Sequence, residues 1–300
     1  MAALEHETAA EEAIGGASAA AVDWGYLWYQ LRSSPLALAG IAIIAVVLFV
    51  MATAPLIAPY DPNRLDLLHR LAAPGAAHWF GTDEVGRDLF SRILYGSRVS
   101  VTVGFAVVGI SMGAGTVLGA FSGLAGGRID TAIMRLMDVL LSFPSFVMAM
   151  ALAAALGPDL MNAMLAIAIV RIPFYVRLAR GQALSLRERP YVKAATTFGA
   201  PRWHIVRRHI IPNALAPIIV QSTLDIGNAI LLASALSFIG LGAQQPTAEW
   251  GAMVSNGRDY LLDQWWYPTF PGLAILVTAV GFNLLGDGLR DIFDPRLRRK

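Results

Sequence analysis

Residues Leu36–Ala58 read LALAGIAIIAVVLFVMATAPLIA, and not one of them carries a charge. A helix needs about 20 mostly apolar residues to cross the hydrocarbon core of a bilayer. In that core every backbone N–H and C=O must be paired within the segment, so an uncharged run of this length reads as a spanning helix. The rest of the chain agrees. Of 300 residues, 56% are hydrophobic and 15% charged, and the mean hydropathy is +0.56. A soluble domain carries about 25% charged residues and would struggle to cover its surface with less. Disorder over most of the length and a charged coiled coil are excluded on the same ground. The net charge of +2 argues against a basic nucleic-acid binder. With no cysteine, the chain has no disulfide, thiolate metal site or cysteine nucleophile.

Working outward from the first run, five more spans are expected: Val99–Ala125, Thr131–Leu156, Leu160–Val176, Asn213–Leu241 and Pro271–Leu289. The fold class is therefore an all-α polytopic membrane protein of about six transmembrane helices. Its expected parts are a tail (1–34), a first span (35–58), an outer loop (59–98), a membrane core (99–289) that includes a long loop (180–212), and a basic tail (290–300). Trp24, Tyr26, Trp28 and Tyr29 look like an interfacial aromatic belt before the first span. The first 20 residues hold no Lys or Arg, unlike a secretory signal, and read as a solvated tail. In the second span Gly115, Gly119 and Gly123 recur every four residues, with Gly109 and Gly113 as a second pair. Small residues so spaced let helices approach closely, either within the chain or against a second subunit.

Lys and Arg in loops set orientation. Arg177–His209 holds Arg177, Arg180, Arg187, Arg189, Lys193, Arg202, Arg207 and Arg208, and the C-terminal tail holds Arg290, Arg296, Arg298, Arg299 and Lys300. Both are expected on the cytoplasmic side. An even number of spans places the N-terminus there too.

The long basic loop has its own punctuation. Pro190 can open a helix at its first turn. Gly199 and Pro201 would stop it. Arg202–Ile211 reads as a second short helix ending before Pro212. The loop is too ordered for a linker and too small for an enzyme. Ala194, Ala195 and Gly199 would allow close docking of another protein, or the helix could lie on anionic lipid.

The stretch YVKAATTFGAPRWHIVRRHIIPN (Tyr191–Asn213) resembles the EAA loop of ATP-binding-cassette (ABC) importer permeases. Three further blocks resemble the dipeptide/oligopeptide/nickel subfamily: WFGTDEVGRDLFSRILYGSRVS (Trp79–Ser100), LSFIGLGAQQPTAEWG (Leu236–Gly251) and FNLLGDGLRDIFDPR (Phe282–Arg296). The chain departs from the family at Lys193, where an acid is usual, at Ala233, and at Gln245-Pro246. The resemblance implies the type I ABC importer permease fold and a C-type subunit. It implies as partners a second, B-type permease subunit, two ATPase subunits and an extracytoplasmic solute-binding protein. The location implied is a bacterial or archaeal cytoplasmic membrane. Peptides are the first substrate class it suggests, with nickel chelates or glutathione as alternatives. Coupling to the ATPases would fall to Tyr191, Lys193, Ala194, Ala195, Gly199, Ala200, Trp203 and His204.

Residue chemistry adds its own constraints. The only lysines are Lys193 and Lys300, and neither follows a glycine, so the chain cannot contain a Gly-Lys-Ser/Thr phosphate loop. ATP and magnesium would be bound by partner subunits; no catalytic residue and no cofactor is expected here. His204 and His209 are five apart, an awkward spacing for metal ligands on one helical face, and no metal site is expected. Asp83, Arg87, Asp88 and Arg92 are expected to tie the outer loop to the membrane surface and to a partner. Intramembrane charges are functional suspects. Asp225, with Gln221 and Asn228 on the same helical face, could line a pathway and meet a cationic group such as a peptide amino terminus, or form a polar seam between helices. Arg135 and Asp138 are expected to pair with each other. A secondary transporter driven by ions would need inverted repeats and a carboxylate relay, and no repeat is visible.

Overall fold

The computed structural model describes Arg32 and residues 34–293. The proposed aromatic belt and most of the basic tail lie outside the described residues. Within them the regular elements are helices, joined by irregular segments that hold one isolated bridge between Thr82 and Asp88. The helices are α1 (Pro35–Ile57), α2 (Leu89–Ala125), α3 (Gly127–Leu141), α4 (Ser145–Leu156), α5 (Leu160–Leu186), α6 (Pro190–Thr197), α7 (Arg202–Phe238), α8 (Trp250–Gly257) and α9 (Trp266–Phe293). Five of them (α1, α2, α5, α7 and α9) are long and apolar enough to cross a membrane, and α3 with α4 makes a sixth if that bent pair is one span.

The bend corrects the third span. Residues 131–156 are not one straight helix: α3 and α4 meet at 89° across Ser142, Phe143 and Pro144. Proline disfavours helical geometry in the residue before it, which ends α3 there. The 12 residues of α4 span only about 18 Å. α3 is amphipathic, with Arg128, Asp130, Arg135 and Asp138 along it.

The other spans begin and end where side chains satisfy their ends. α2 starts ten residues before its expected first residue, Val99, because Asp88 caps it, accepting from the backbone N–H of Ser91 at 2.8 Å. α5 runs ten residues beyond its expected end at Val176. Its arginines find partners there: Arg177 pairs with Asp138 at 2.7 Å, Arg180 with Asp130 at 2.6 Å, and Arg187 donates to the Gly123 carbonyl at 3.2 Å. Asp138 is therefore held by Arg177 across helices, not by Arg135. The expected break at Pro212 is also absent. A π turn over Val206–Ile210 precedes the proline and carries the helix through to Phe238. A wider turn fits there because proline removes one donor from the ladder.

The helices pack through glycine. The most extensive pairing is α2 with α5. A Cβ added at Gly115 would lie 2.4 Å from the Tyr175 Cβ, at Gly119 2.3 Å from the Val176 carbonyl oxygen, and at Gly123 2.7 Å from the Ala183 Cβ. The glycine stripe thus serves packing inside the chain. Gly109 and Gly113 look onto open space. α1 closes on α9 in the same way, with Gly40 against Leu285 and Gly288 against Ala37. Residues 58–88 and 239–249 meet at one end of the bundle, where Arg87 donates to Gln245 at 2.8 Å. Residues 187–201 lie at the other end, beside the last turns of α2 and α5.

Candidate functional site: the coupling loop, the pathway face and the outer cluster

Three groups of residues carry the chemistry. The first is the loop helix α6. Pro190 occupies its first turn. Gly199 ends it with φ +77°: the Gly199 N–H donates to Thr196 O and the Ala200 N–H to Ala195 O, each at 3.0 Å. This is the paired bonding of a Schellman stop, and glycine adopts the left-handed backbone without strain. Val192, Ile205, Val206 and Ile210 are buried with Ala120 and Ala183, so the loop is pinned to α2 and α5 by its own small core. Its other face is open. Phe198 is 89% and Trp203 53% exposed, and Tyr191, Lys193, Ala194, Gly199 and His204 are exposed too. Ala195 and Ala200 are half-buried against that core. Lys193 pairs with Glu188 at 3.1 Å, and its hydrogen bond holds the Glu188 carboxyl below the usual range. Beyond Pro201, an open cleft of about 630 Å³ runs past Trp203, His204, Arg207 and Arg208. The loop thus presents aromatic and small residues ringed by arginine on a rigid base.

The second group lies midway along the spans. Asp225 is fully buried. Arg171 Nε donates to its Oδ2 at 3.1 Å, Arg171 Nη2 pairs with its Oδ1, and the Tyr175 hydroxyl donates to Oδ2 at 3.1 Å. The expectation that Asp225 meets an incoming cation does not fit this geometry: the carboxylate already holds a cation and is sealed from outside. Gln221 and Asn228 lie on the same side of α7 but toward the surface, with Asn228 exposed and Gln221 half-buried. Arg171 is the one charged residue in the expected span Leu160–Val176; its pairing with Asp225 is not legible in the sequence, because the two are 54 residues apart.

The third group is the outer cluster. Asp83 is its hub: Oδ1 accepts from the backbone N–H groups of Val85 and Arg87 at 3.0 and 2.9 Å, and Oδ2 takes Arg87 Nε at 2.5 Å, with Arg92 Nε 3.7 Å away. Arg92 donates to the Pro62 carbonyl at 2.8 Å. Asp88 accepts from Ser91 and lies 2.9 Å from His78 Nδ1. All four expected residues come together, nearly buried, and tie the outer loop to this chain's own segment around Gln245-Pro246. Sequence reasoning passed over Tyr267, whose hydroxyl meets Glu84, and Glu249. Glu249 is buried at the start of α8, accepting from Gly251 and Ala252 N–H at 3.0 and 2.8 Å and from Ser100 at 3.1 Å. An acid directly before the Trp-Gly pair was the available signal for it.

A bundle of five helices long and apolar enough to cross a membrane, with an ion pair buried between two of them, fits an integral membrane protein. Comparison narrows the class. Residues 115–299 match the family of the binding-protein-dependent transport system inner membrane component, and residues 23–74 match the N-terminal transmembrane domain of oligopeptide transport permease C. The chain belongs to this family of ABC transporter permeases. It is 63% identical over 270 residues to the probable D,D-dipeptide transport system permease protein of Escherichia coli, covering 90% of this chain and 91% of that one. It is 46% identical to a dipeptide transport system permease of Alkalihalophilus pseudofirmus, over 92% and 90% of the two chains. A glutathione transport system permease of Pectobacterium atrosepticum is 40% identical, over 92% of both chains.

Proposed function

We propose that this chain is one of two membrane subunits of an ATP-driven importer for short peptides. It would form half of the translocation pathway and receive the motion of two ATPase subunits through α6. An extracytoplasmic binding protein would deliver solute to the outer loops. Both termini and the α6 loop would face the cytoplasm of a bacterial or archaeal cell. Two relatives named for dipeptide transport, at 63% and 46% identity, favour peptides over other solutes. Alternating access would then be rigid-body rocking of the bundle around a central path.

The observation that carries the coupling role is mechanical. α6 exposes Tyr191, Ala194 and Phe198 while Val192 anchors it, with Ile205 and Val206, to Ala120 of α2 and Ala183 of α5. A push on the exposed face is transmitted to two long helices without passing through a flexible linker. ATP hydrolysis has to come from other chains, because neither lysine here sits in a phosphate loop.

Gly199→Arg tests this. A Cβ at 199 meets nothing within 4 Å, but the φ of +77° strains any side chain there, so Ala194→Arg, in ordinary helical backbone on the exposed face of α6, is made beside it to obstruct a partner without touching the helix stop. In proteoliposomes holding the complete importer, both variants should insert, yet lose uptake and the ATPase stimulation caused by loaded binding protein. Normal uptake by Ala194→Arg would refute the role given to the loop.

A further inference from the structure

We propose that Arg171 is an anion-recognising group of the translocation pathway, taking the carboxylate end of the solute at mid-membrane, with Asp225 and Tyr175 as its positioning residues. The proposal rests on the reading of this chain as half of a peptide pathway.

Depth is the first consideration. Arg171 lies 11 residues beyond Leu160, the start of α5, about 16 Å along the helix. Asp225 sits near the middle of the Ile211–Phe238 run. Charges at that depth are costly and persist where they pair or serve a pathway.

The pairing leaves something over. Asp225 takes the Nε and Nη2 edge of the guanidinium, and Tyr175 fixes the carboxylate from a second side. Arginine has five N–H donors in a planar fork. Among the described residues no acceptor meets Nη1. The group lies over the Phe174 ring, 5.3 Å from its centroid. Phe174 is itself exposed, and the Arg171 side chain keeps 19% of its surface. The guanidinium is thus clamped on one edge and open on another.

A pair that served only to join α5 to α7 would gain nothing from an open donor edge, since apolar residues of similar volume often hold helices as well as a buried ion pair. A clamped guanidinium with free N–H groups matches a carboxylate's geometry and loses little entropy on binding. Asn228, exposed on the same side of α7, and Gln221 could meet the amide groups of the same solute. Asp225 balances the charge when the path is empty, which keeps the site weak enough to release what it binds. Passage requires that weakness.

The test compares three proteins in proteoliposomes containing the complete importer: wild type, Arg171→Lys, and the double variant Arg171→Gln/Asp225→Asn. The double variant leaves no bare charge in the membrane, so it separates solute recognition from neutralisation of Asp225. Uptake of a labelled dipeptide and the ATPase stimulation given by loaded binding protein are both read. A charge-assisted hydrogen bond is worth enough that its loss should lower uptake about tenfold in the double variant. Stimulated ATPase should persist, and Arg171→Lys, which keeps the charge but not the planar fork, should take up peptide at a rate between wild type and the double variant. Uptake within about twofold of wild type in the double variant would overturn the proposal. So would loss of ATPase stimulation along with uptake, or an Arg171→Lys variant that takes up peptide as well as wild type. If the wild-type importer takes up no peptide, the peptide reading falls first, and this proposal with it.

Discussion

Asp83 and Asp66 stand in the same outer loop, and the physics of burial separates them. Asp83 has 1% of its side-chain surface exposed and faces Arg87 and Arg92, both nearly buried. Removing its carboxylate takes the nearest counter-charge from two buried guanidinium groups, leaving Arg87 to Glu84 and Gln245 and Arg92 to neutral carbonyls, and breaking a buried pair costs about 3–5 kcal/mol. Asp66 meets His69 at 2.9 Å and accepts from the Leu68 backbone N–H at 3.2 Å, both near the solvent, and the hydrogen bond from His69 holds its carboxyl below the usual value. Exposed pairs of that kind contribute little. Asp83→Ala should therefore lower the thermal unfolding midpoint of the detergent-solubilised protein sharply, while Asp66→Ala leaves it almost unchanged. Equal midpoints for the two would contradict the assignment of Asp83 as the hub. At this scale the sequence was legible where charge and motif coincided, as at Asp83, Arg87, Asp88 and Arg92. It was silent on partners joined only by folding: Glu84 meets Tyr267 across 183 residues, and Ser100 meets Glu249 across 149.

Among elements, close approach between α2 and α5 decides the packing, and two sets of glycines in one helix provide an internal control. Gly119 has the Val176 carbonyl oxygen 2.3 Å from where a Cβ would sit, whereas nothing lies within 4 Å of one at Gly109. Overpacking a close contact costs about 1–3 kcal/mol, and backbone cannot move aside as a flexible side chain can. Gly119→Leu should reduce the amount of folded protein recovered from membranes and lower its unfolding midpoint. Gly109→Leu should leave the isolated chain as stable as wild type. If both behave alike, the α2–α5 contact is not the one described. The glycine spacing announced that some close contact exists, but not with which helix. Span ends were the less legible part. Hydropathy stops where charges begin, yet α5 continues through Arg177 and Arg180 because Asp138 and Asp130 on α3 receive them. The third expected span, Thr131–Leu156, is broken by an 89° turn before Pro144 that apolar content alone does not report, and it is one span only if the bent pair counts as one.

For the whole molecule, the arrangement of ends is the observation with the greatest reach. The outer loop and the segment around Gln245-Pro246 meet at one end, and the α6 loop lies at the other. The chain has no cysteine, so any single cysteine introduced is the only one. Leu262 is 95% exposed near the first end, and Phe198 is 89% exposed at the second. With a membrane-impermeant maleimide on intact cells, or spheroplasts where an outer membrane intervenes, Leu262→Cys should label and Phe198→Cys should label only after lysis. The reverse pattern would invert the topology. The basic residues of the α6 loop point to this orientation, while the outer loop also carries Arg64, Arg70, Arg87, Arg92 and Arg98; three of these, Arg70, Arg87 and Arg92, have acceptors within the chain.

The proposed role is to conduct peptide on energy that other subunits supply. Its most direct test is accumulation of a labelled dipeptide in proteoliposomes made with and without the partner subunits. With the second permease subunit, both ATPase subunits and the binding protein, accumulation should require ATP, and this chain alone should accumulate nothing under a proton gradient. Gradient-driven accumulation by the isolated chain, or ATP-independent accumulation by the full assembly, would contradict it.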